Sequence, residues 1–276
     1  MLRFDFLPSS EWKLGEYGDF LGGVLNPILT FLMFVGLIIT IVIQKTELSL
    51  ARTEFKRTAN ALQEQSESSK KQVIENTFFN LLNIHNETLS SLRFDSESLR
   101  CAFNIKEDRA IGRAVFSSIL TWMHDESDTQ KTHENYTFFQ DTENHVVGHY
   151  FRGLYQILKF IDECGLPDND KNRYSRLLRA QLSTDELAVL YFNCISPNVD
   201  SGQFRGLLIK YRMLEHIKLG KEDFWDNYTI SSCIVYTAKE NLMQYIELHE
   251  DGSVIRSAFG TNPVASKELY VHNKLS

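Results

Sequence analysis

The sequence predicts a mainly α protein. One N-terminal transmembrane helix continues into a helical rod, and a helical cytoplasmic domain with a small β element near its C-terminus follows. Three observations carry that prediction. Twenty-five residues between Asp19 and Lys45, FLGGVLNPILTFLMFVGLIITIVIQ, hold no charge. From Lys45 to Glu75 there is neither glycine nor proline. Beyond Glu75, apolar residues recur at helical spacing until about Phe224, where β-leaning runs take over.

The charge-free stretch is long enough for a span, which needs about 20 apolar residues, whereas a signal h-region takes only ~7–15. Four acids (Asp5, Glu11, Glu16, Asp19) precede it against Arg3 and Lys13, and Gln44-Lys45-Thr46-Glu47 comes after it. Neither flank suits a cleaved signal. Lys45, Arg52, Lys56 and Arg57 cluster beyond its C-terminal end. The positive-inside rule therefore places the N-terminus outside and residues 45–276 in the cytoplasm of a single-pass protein. The four cysteines lie far apart without a C-x-x-C pair. They read as reduced, small hydrophobes and not as a disulfide or zinc framework.

Residues 1–25 read as an interfacial lead-in, with Phe4, Phe6, Leu7, Trp12, Tyr17 and Phe20 at headgroup depth. For the span (26–44) two starts stay open. Asn26 caps a helix opening at Pro27, or one longer helix begins near Tyr17 and kinks at Pro27. Residues 45–75 form the rod. Residues 76–224 form the helical domain, opening with the amphipathic NTFFNLLNIHNETLSSLRF. Residues 94–112 read as irregular, 110–124 as a helix, 125–142 as a polar loop and 143–163 as a strong helix ended by Gly165 and Pro167. Asp168–Lys171 reads as a turn, with a helix from Arg173 to Gln181. Ser183 and Glu186 form a capping box for DELAVLYFNCI, which Ser196-Pro197 stops. Helix 203–217 is amphipathic. In the extension 225–276, YTISSCIVY and a hairpin turning at Asp251-Gly252 are the β signals.

Chemistry is sparse. His145 and His149 share a helix face, yet H-V-V-G-H lacks the glutamate of a zinc-protease motif, so no metal and no cofactor is expected. Arg212-Met-Leu-Glu-His216 is R-x3-H, one residue short of the R-x4–6-H of HEPN-type helical ribonucleases. On one helix face the pair would still serve as an alternative catalytic site. No phosphate-binding glycine loop or hydrolase elbow occurs. The net charge of −7 argues against direct nucleic-acid binding. An enzyme is thus the lesser reading.

The span carries a pattern of its own. At 100° per residue, Asn26, Thr30, Thr40 and Gln44 fall within one arc, with Met33 and Leu37 between them. Leu48, Ala51, Phe55 and Leu62 continue that arc along the rod. Three readings stand: threonines bonding their own backbone, a parallel self-association face, or a pore lining in a larger ring.

Four segments together resemble the phage abortive-infection family, the AbiC-like membrane proteins of bacteria. They are GDFLGGVLNPILTFLMFVGLIITIVIQ (18–44), ENTFFNLLNIHNE (75–87), GHYFRGLYQILKFID (148–162) and RLLRAQLSTDELAVLYFNCIS (176–196). The region of Lys210-Tyr211 and Leu214-Glu215 is also similar. The resemblance implies an inner-membrane protein of anti-phage defence that halts or kills the infected cell, and it transfers no catalytic set. The expected action is on membrane integrity, through self-association in the lipid bilayer, triggered at the cytoplasmic domain by a partner sensor or a phage-derived signal. A scaffold recruiting a separate effector is the further alternative. Polar residues set in apolar helices mark either a buried packing network or a ligand site: His85, Asn86, Arg152, Tyr155, Arg179, Gln181 and Asn193.

Overall fold

In the computed structural model the chain divides into two units, Met1–Lys70 and Lys71–Ser276. The structure describes residues 11–94, 110–124, 129–195, 201–221, 227–231 and 235–270. Phe4, Phe6 and Leu7 of the lead-in, the Trp12 side chain, residues 95–109, Ser196-Pro197, Cys101 and Cys233 lie outside the described residues.

The first unit is helical throughout its described part. Helix α1 (Glu11–Phe20) passes through a π-helical segment (Leu21–Leu25) into α2 (Asn26–Ser91), whose residues to Lys70 belong to this unit. Asn26 has helical angles (φ −58°, ψ −48°), so it does not cap a new helix. The longer helix from about Tyr17 is the form observed. Pro27 explains the π segment. It brings no N–H and its ring crowds the carbonyl four residues back, so the backbone widens by one residue there. Apart from half-buried Val35, the large apolar side chains from Ile28 to Ile43 are 46–69% exposed. No protein core covers them, and the helix is long and apolar enough to cross a membrane.

The second unit has one hydrophobic core. The end of α2 buries Phe78, Leu82, His85 and Leu89, a stripe at alternating spacings of four and three. Strands β1 (Arg93–Phe94) and β2 (Ala110–Ile111) form a minimal antiparallel pair. Then come α3 (Ala114–Met123), α4 (Thr129–Glu163), α5 (Asp168–Arg179), α6 (Thr184–Ile195) and α7 (Gln203–Lys210). Every residue of α6 from Glu186 to Cys194 is buried, which marks it as the central helix. Its N-terminus carries the expected box: the Glu186 N–H donates to Ser183 Oγ (3.3 Å), and that hydroxyl donates to Glu186 Oε1 (3.0 Å).

Three expectations fail on the helices. The loop at 125–142 is helix from Thr129 on, because Thr132, Tyr136, Phe139 and Gln140 bury one narrow stripe beneath an otherwise polar surface. The expected boundary survives only as a kink at Glu143 (φ −122°, ψ 19°). Helix α5 starts at Asp168 and not Arg173, with Asp168 and Asp170 in a first turn that favours negative charge. Helix α7 ends at Lys210, seven residues earlier than 217.

The C-terminal part is the expected small β element. Strands β3 (Leu219–Lys221), β4 (Asn227–Ile230) and β5 (Val235–Ala238) form an antiparallel sheet in sequence order, β5 lying against α4. After the short α8 (Lys239–Met243), β6 (Ile246–Leu248) and β7 (Val254–Ser257) make a hairpin, and α9 (Pro263–Glu268) closes the described chain. The hairpin turns at Asp251-Gly252, where Gly252 sits at φ 78° and Asp251 Oδ1 accepts from the Ser253 N–H (2.9 Å).

Candidate functional site

The end of α7 determines the site. The Arg212 N–H donates to Ile209 O (3.3 Å) and the Met213 N–H to Leu208 O (3.0 Å), with Arg212 at φ 53°. This is a Schellman termination with Arg212 in the left-handed position where glycine is usual. Leu208 and Met213, the two positions whose apolar contact accompanies such a turn, are both fully buried. A side chain at that position costs roughly 1 kcal/mol. Buried Arg179 holds the strained residue in place: its Nη1 donates to Arg212 O (2.7 Å) and pairs with Glu215 Oε2 (2.6 Å). Glu215 also accepts from the Thr261 N–H (3.1 Å) and hydroxyl (2.5 Å), so the turn is clamped to the segment after β7. Gly260 must stay small and left-handed (φ 49°), since a Cβ there would stand 2.9 Å from the Glu215 carboxyl.

These elements wall a cleft of about 1050 Å³. Its basic side chains are Lys171, Arg176, Arg179, Lys210, Arg212 and Arg256, against the carboxylates of Asp168 and Glu215. The lining thus carries an excess of four positive charges in a chain whose net charge is −7. Two cations are partly spent: Lys210 pairs with Asp162, and Lys171 donates to the Asp162 carbonyl (2.5 Å). Among the described residues Arg176 is tied only through its Nε, to Asn172 O (3.2 Å). Arg212 and Arg256 are exposed, and among the described residues neither guanidinium has a carboxylate partner. Burial lowers the Arg179 pKa, and Arg176 and Arg212 add repulsion that Glu215 opposes. Glu215 itself is held below its ordinary range: its bonds to Thr261 and the charge of Arg179 outweigh burial. Such a cleft is suited to binding an anion.

The sequence-predicted residues disperse across the second unit. Arg212 reaches the cleft, but His216 is not among its lining residues, and the pair does not share a helix. The premise for a ribonuclease pair is thereby corrected: α7 stops two residues before Arg212. Of the polar network, only Arg179 lines the cleft. Asn193 is in a separate buried cluster, where its Oδ1 accepts from Tyr136 (3.2 Å) and Gln140 (3.2 Å). Tyr155 donates to Gln203 Oε1 (3.1 Å), Arg152 is exposed, and exposed Gln181 offers its carbonyl to Arg113 (2.8 Å). Asn86 is half-buried and bonds Ser90 through its carbonyl. His85 is buried against the Tyr150 ring (centroids 4.4 Å apart), and neither ring nitrogen has a hydrogen-bond partner. These seven residues are not one network.

His145 and His149 are both exposed on α4, with Glu143 Oε2 3.8 Å from His145 Nε2. In the first unit, the Thr30 hydroxyl donates to Asn26 O (2.8 Å) and the Thr40 hydroxyl to Gly36 O (2.8 Å). Both threonines therefore spend their donors within their own helix. Asn26, Met33, Leu37 and Gln44 are exposed on the same span. Sequence reasoning missed Arg176 and Arg256, since neither sits in a motif; Arg256 is one residue of a four-residue strand.

Residues 142–222 match the family model described as "Putative phage abortive infection protein". The match takes in two of the four resembling stretches, 148–162 and 176–196, and the Lys210–Glu215 turn of the cleft, so the suspected family is supported over that segment. No curated protein and no solved structure matches the chain.

Proposed function

We propose that this chain is a bacterial phage abortive-infection protein anchored in the inner membrane, with its second unit in the cytoplasm. In this reading it self-associates through its span and rod and, when triggered through the second unit, breaches the membrane and arrests the infected cell. The observation that carries the proposal is the coupling of two features in one chain. A helix whose apolar side chains from Ile28 to Ile43 are exposed, Val35 alone being half-buried, precedes a domain matching an abortive-infection model. Exposed apolar surface of that extent in a helix needs lipid or partner helices around it. The basic cluster Lys45, Arg52, Lys56 and Arg57 supports the cytoplasmic placement of residues 45–276.

Phage challenge tests the role. Cells carrying the full chain are expected to give fewer plaques and to stop growing before phage release. A chain with two charges set into the span, Leu32→Arg and Ile39→Arg, is expected to lose protection at equal expression. Protection that survives both charges contradicts the membrane reading.

Self-association has its own expected outcome. Thr30 and Thr40 bond their own backbone, while the amides of Asn26 and Gln44 have no hydrogen-bond partner among the described residues. In lipid an interhelical amide bond contributes about 0.6–2 kcal/mol. In detergent, Asn26→Leu with Gln44→Leu should shift the chain toward monomer more than Thr30→Val with Thr40→Val. A wild type already monomeric by light scattering would remove the self-association face.

A further inference from the structure

The charge of this chain is distributed against its own average. The molecule is acidic, yet three guanidinium groups from three separate elements meet at one cleft: Arg176 in the last turn of α5, Arg212 after α7, and Arg256 on β7. None has a carboxylate partner among the described residues, although Asp168 and Glu215 line the same wall. Gathering like charges in this way is unfavourable unless an anion joins them. The strain at Arg212 points the same way. A left-handed helix terminus favours glycine, and here the backbone carries an arginine whose side chain lines the cleft. Strain kept at a position where a simpler residue would fit better is a mark of use.

We propose that this cleft binds a small soluble anion carrying two or more phosphate groups, of the size of a nucleoside polyphosphate, held by Arg176, Arg212 and Arg256. Planar guanidinium forks match phosphate oxygens two at a time. The cavity, about 1050 Å³, is at the upper end of small-molecule sites, roughly 300–1,000 Å³. Tyr211 and Tyr270 add fixed aromatic rings to the lining: the Tyr211 hydroxyl donates to Asp162 Oδ1 (2.7 Å) and that of Tyr270 to Gly260 O (3.1 Å). A base or other planar group carried by the phosphates would lie against half-buried Tyr270, since Tyr211 is 4% exposed with the Lys210 ammonium over its ring. A long nucleic acid is the poorer occupant, because its flanking phosphates would run onto a chain of net charge −7. The proposal is independent of membrane action: a chain that binds the anion and never breaches a membrane keeps this site and loses only the effector reading.

The test is calorimetric titration of the full-length chain in detergent with inorganic triphosphate, ATP and a twelve-nucleotide RNA. Triphosphate and ATP are expected to bind, more weakly at higher salt, and Arg256→Gln is expected to weaken both by about ten-fold. Arg212→Gly is the discriminating variant. It restores the residue that the turn favours, so the melting temperature should stay level or rise while binding falls by about ten-fold or more. A cleft arginine with a merely structural role would give the reverse, lower stability with binding unchanged. Failure of both small anions to bind, or binding unaffected by both substitutions, overturns the proposal. RNA binding tighter than ATP and lost in the same variants also overturns it, in favour of a polymer site.

Discussion

Replacing Glu186 with alanine is expected to destabilise the second unit by about 2–4 kcal/mol, from a buried hydroxyl left without its acceptor and the loss of the capping box together. Glu186 is 1% exposed in the first turn of the central helix. Tyr150 donates to its Oε2 (2.7 Å), Ser183 donates to its Oε1 (3.0 Å), and Arg113 Nε lies 3.4 Å from the same oxygen. One carboxylate thus joins α3, α4 and the cap of α6. Burial and then the Glu186 carboxylate push the Tyr150 phenol well above its ordinary range, so it remains a donor at any physiological pH. With alanine at 186, the fully buried hydroxyl loses its acceptor, Arg113 loses its counter-charge, and the capping box loses its reciprocal half. Glu186→Gln keeps the shape and one acceptor and should cost less, about 1–3 kcal/mol. Denaturant unfolding of the detergent-solubilised chain measures both. An alanine variant within about 1 kcal/mol of wild type would show that the three contacts do not act as described.

Acid is expected to destabilise the chain well above the range in which carboxylates titrate. Burial, and after it the charge of Arg113, lowers the His85 pKa to about 4, against an ordinary 6.5. The unfolded chain therefore binds a proton between those values that the folded chain refuses. Stability contributed by neutral His85 is complete above about pH 6.5 and fades as pH falls, with about 3 kcal/mol gone below pH 4. Half-buried His133 is lowered too, by partial desolvation, and adds in the same direction. The depressed carboxylates of Asp162 and Glu215 act later: their contribution is present above the ordinary carboxylate range and is lost only as pH falls below it. His85→Phe should remove the His85 share of the slope between pH 6.5 and 4.5 while keeping the ring contact with Tyr150. At pH 7 its stability should equal or exceed that of wild type, since neither nitrogen of His85 makes a hydrogen bond. Melting curves across that pH range decide it, and a variant with an unchanged slope would contradict the assignment.

Legibility in the sequence tracked the range of the interaction. The span, the capping box at Ser183 and Glu186 and the Asp251-Gly252 turn are local and could be read from a few consecutive residues. The helix from Thr129 to Glu143 was hidden because polar composition outweighed a stripe only one residue wide per turn. The end of α7 was hidden for a sharper reason. Its stop signal is a left-handed residue, and arginine stands where glycine would have announced it. The cleft could not be read at all. Its walls come from 168–179, 209–215 and 254–270, segments brought together only by the fold, and one of them is in the stretch where the family resemblance gave no guidance. Arg179 and Arg212 were each notable for other reasons, one as a packing residue and one as half of a nuclease pair. Their meeting at a shared carbonyl is what the structure adds.

The central claim, that the chain arrests infected cells by acting on the membrane it spans, is tested most directly by tracking membrane potential in single infected cells. Cells carrying the full chain are expected to depolarise before phage release and at or before the moment growth stops. Cells carrying Leu32→Arg and Ile39→Arg should keep their potential and release phage. A potential that stays intact through growth arrest in cells with the unaltered chain would contradict the account.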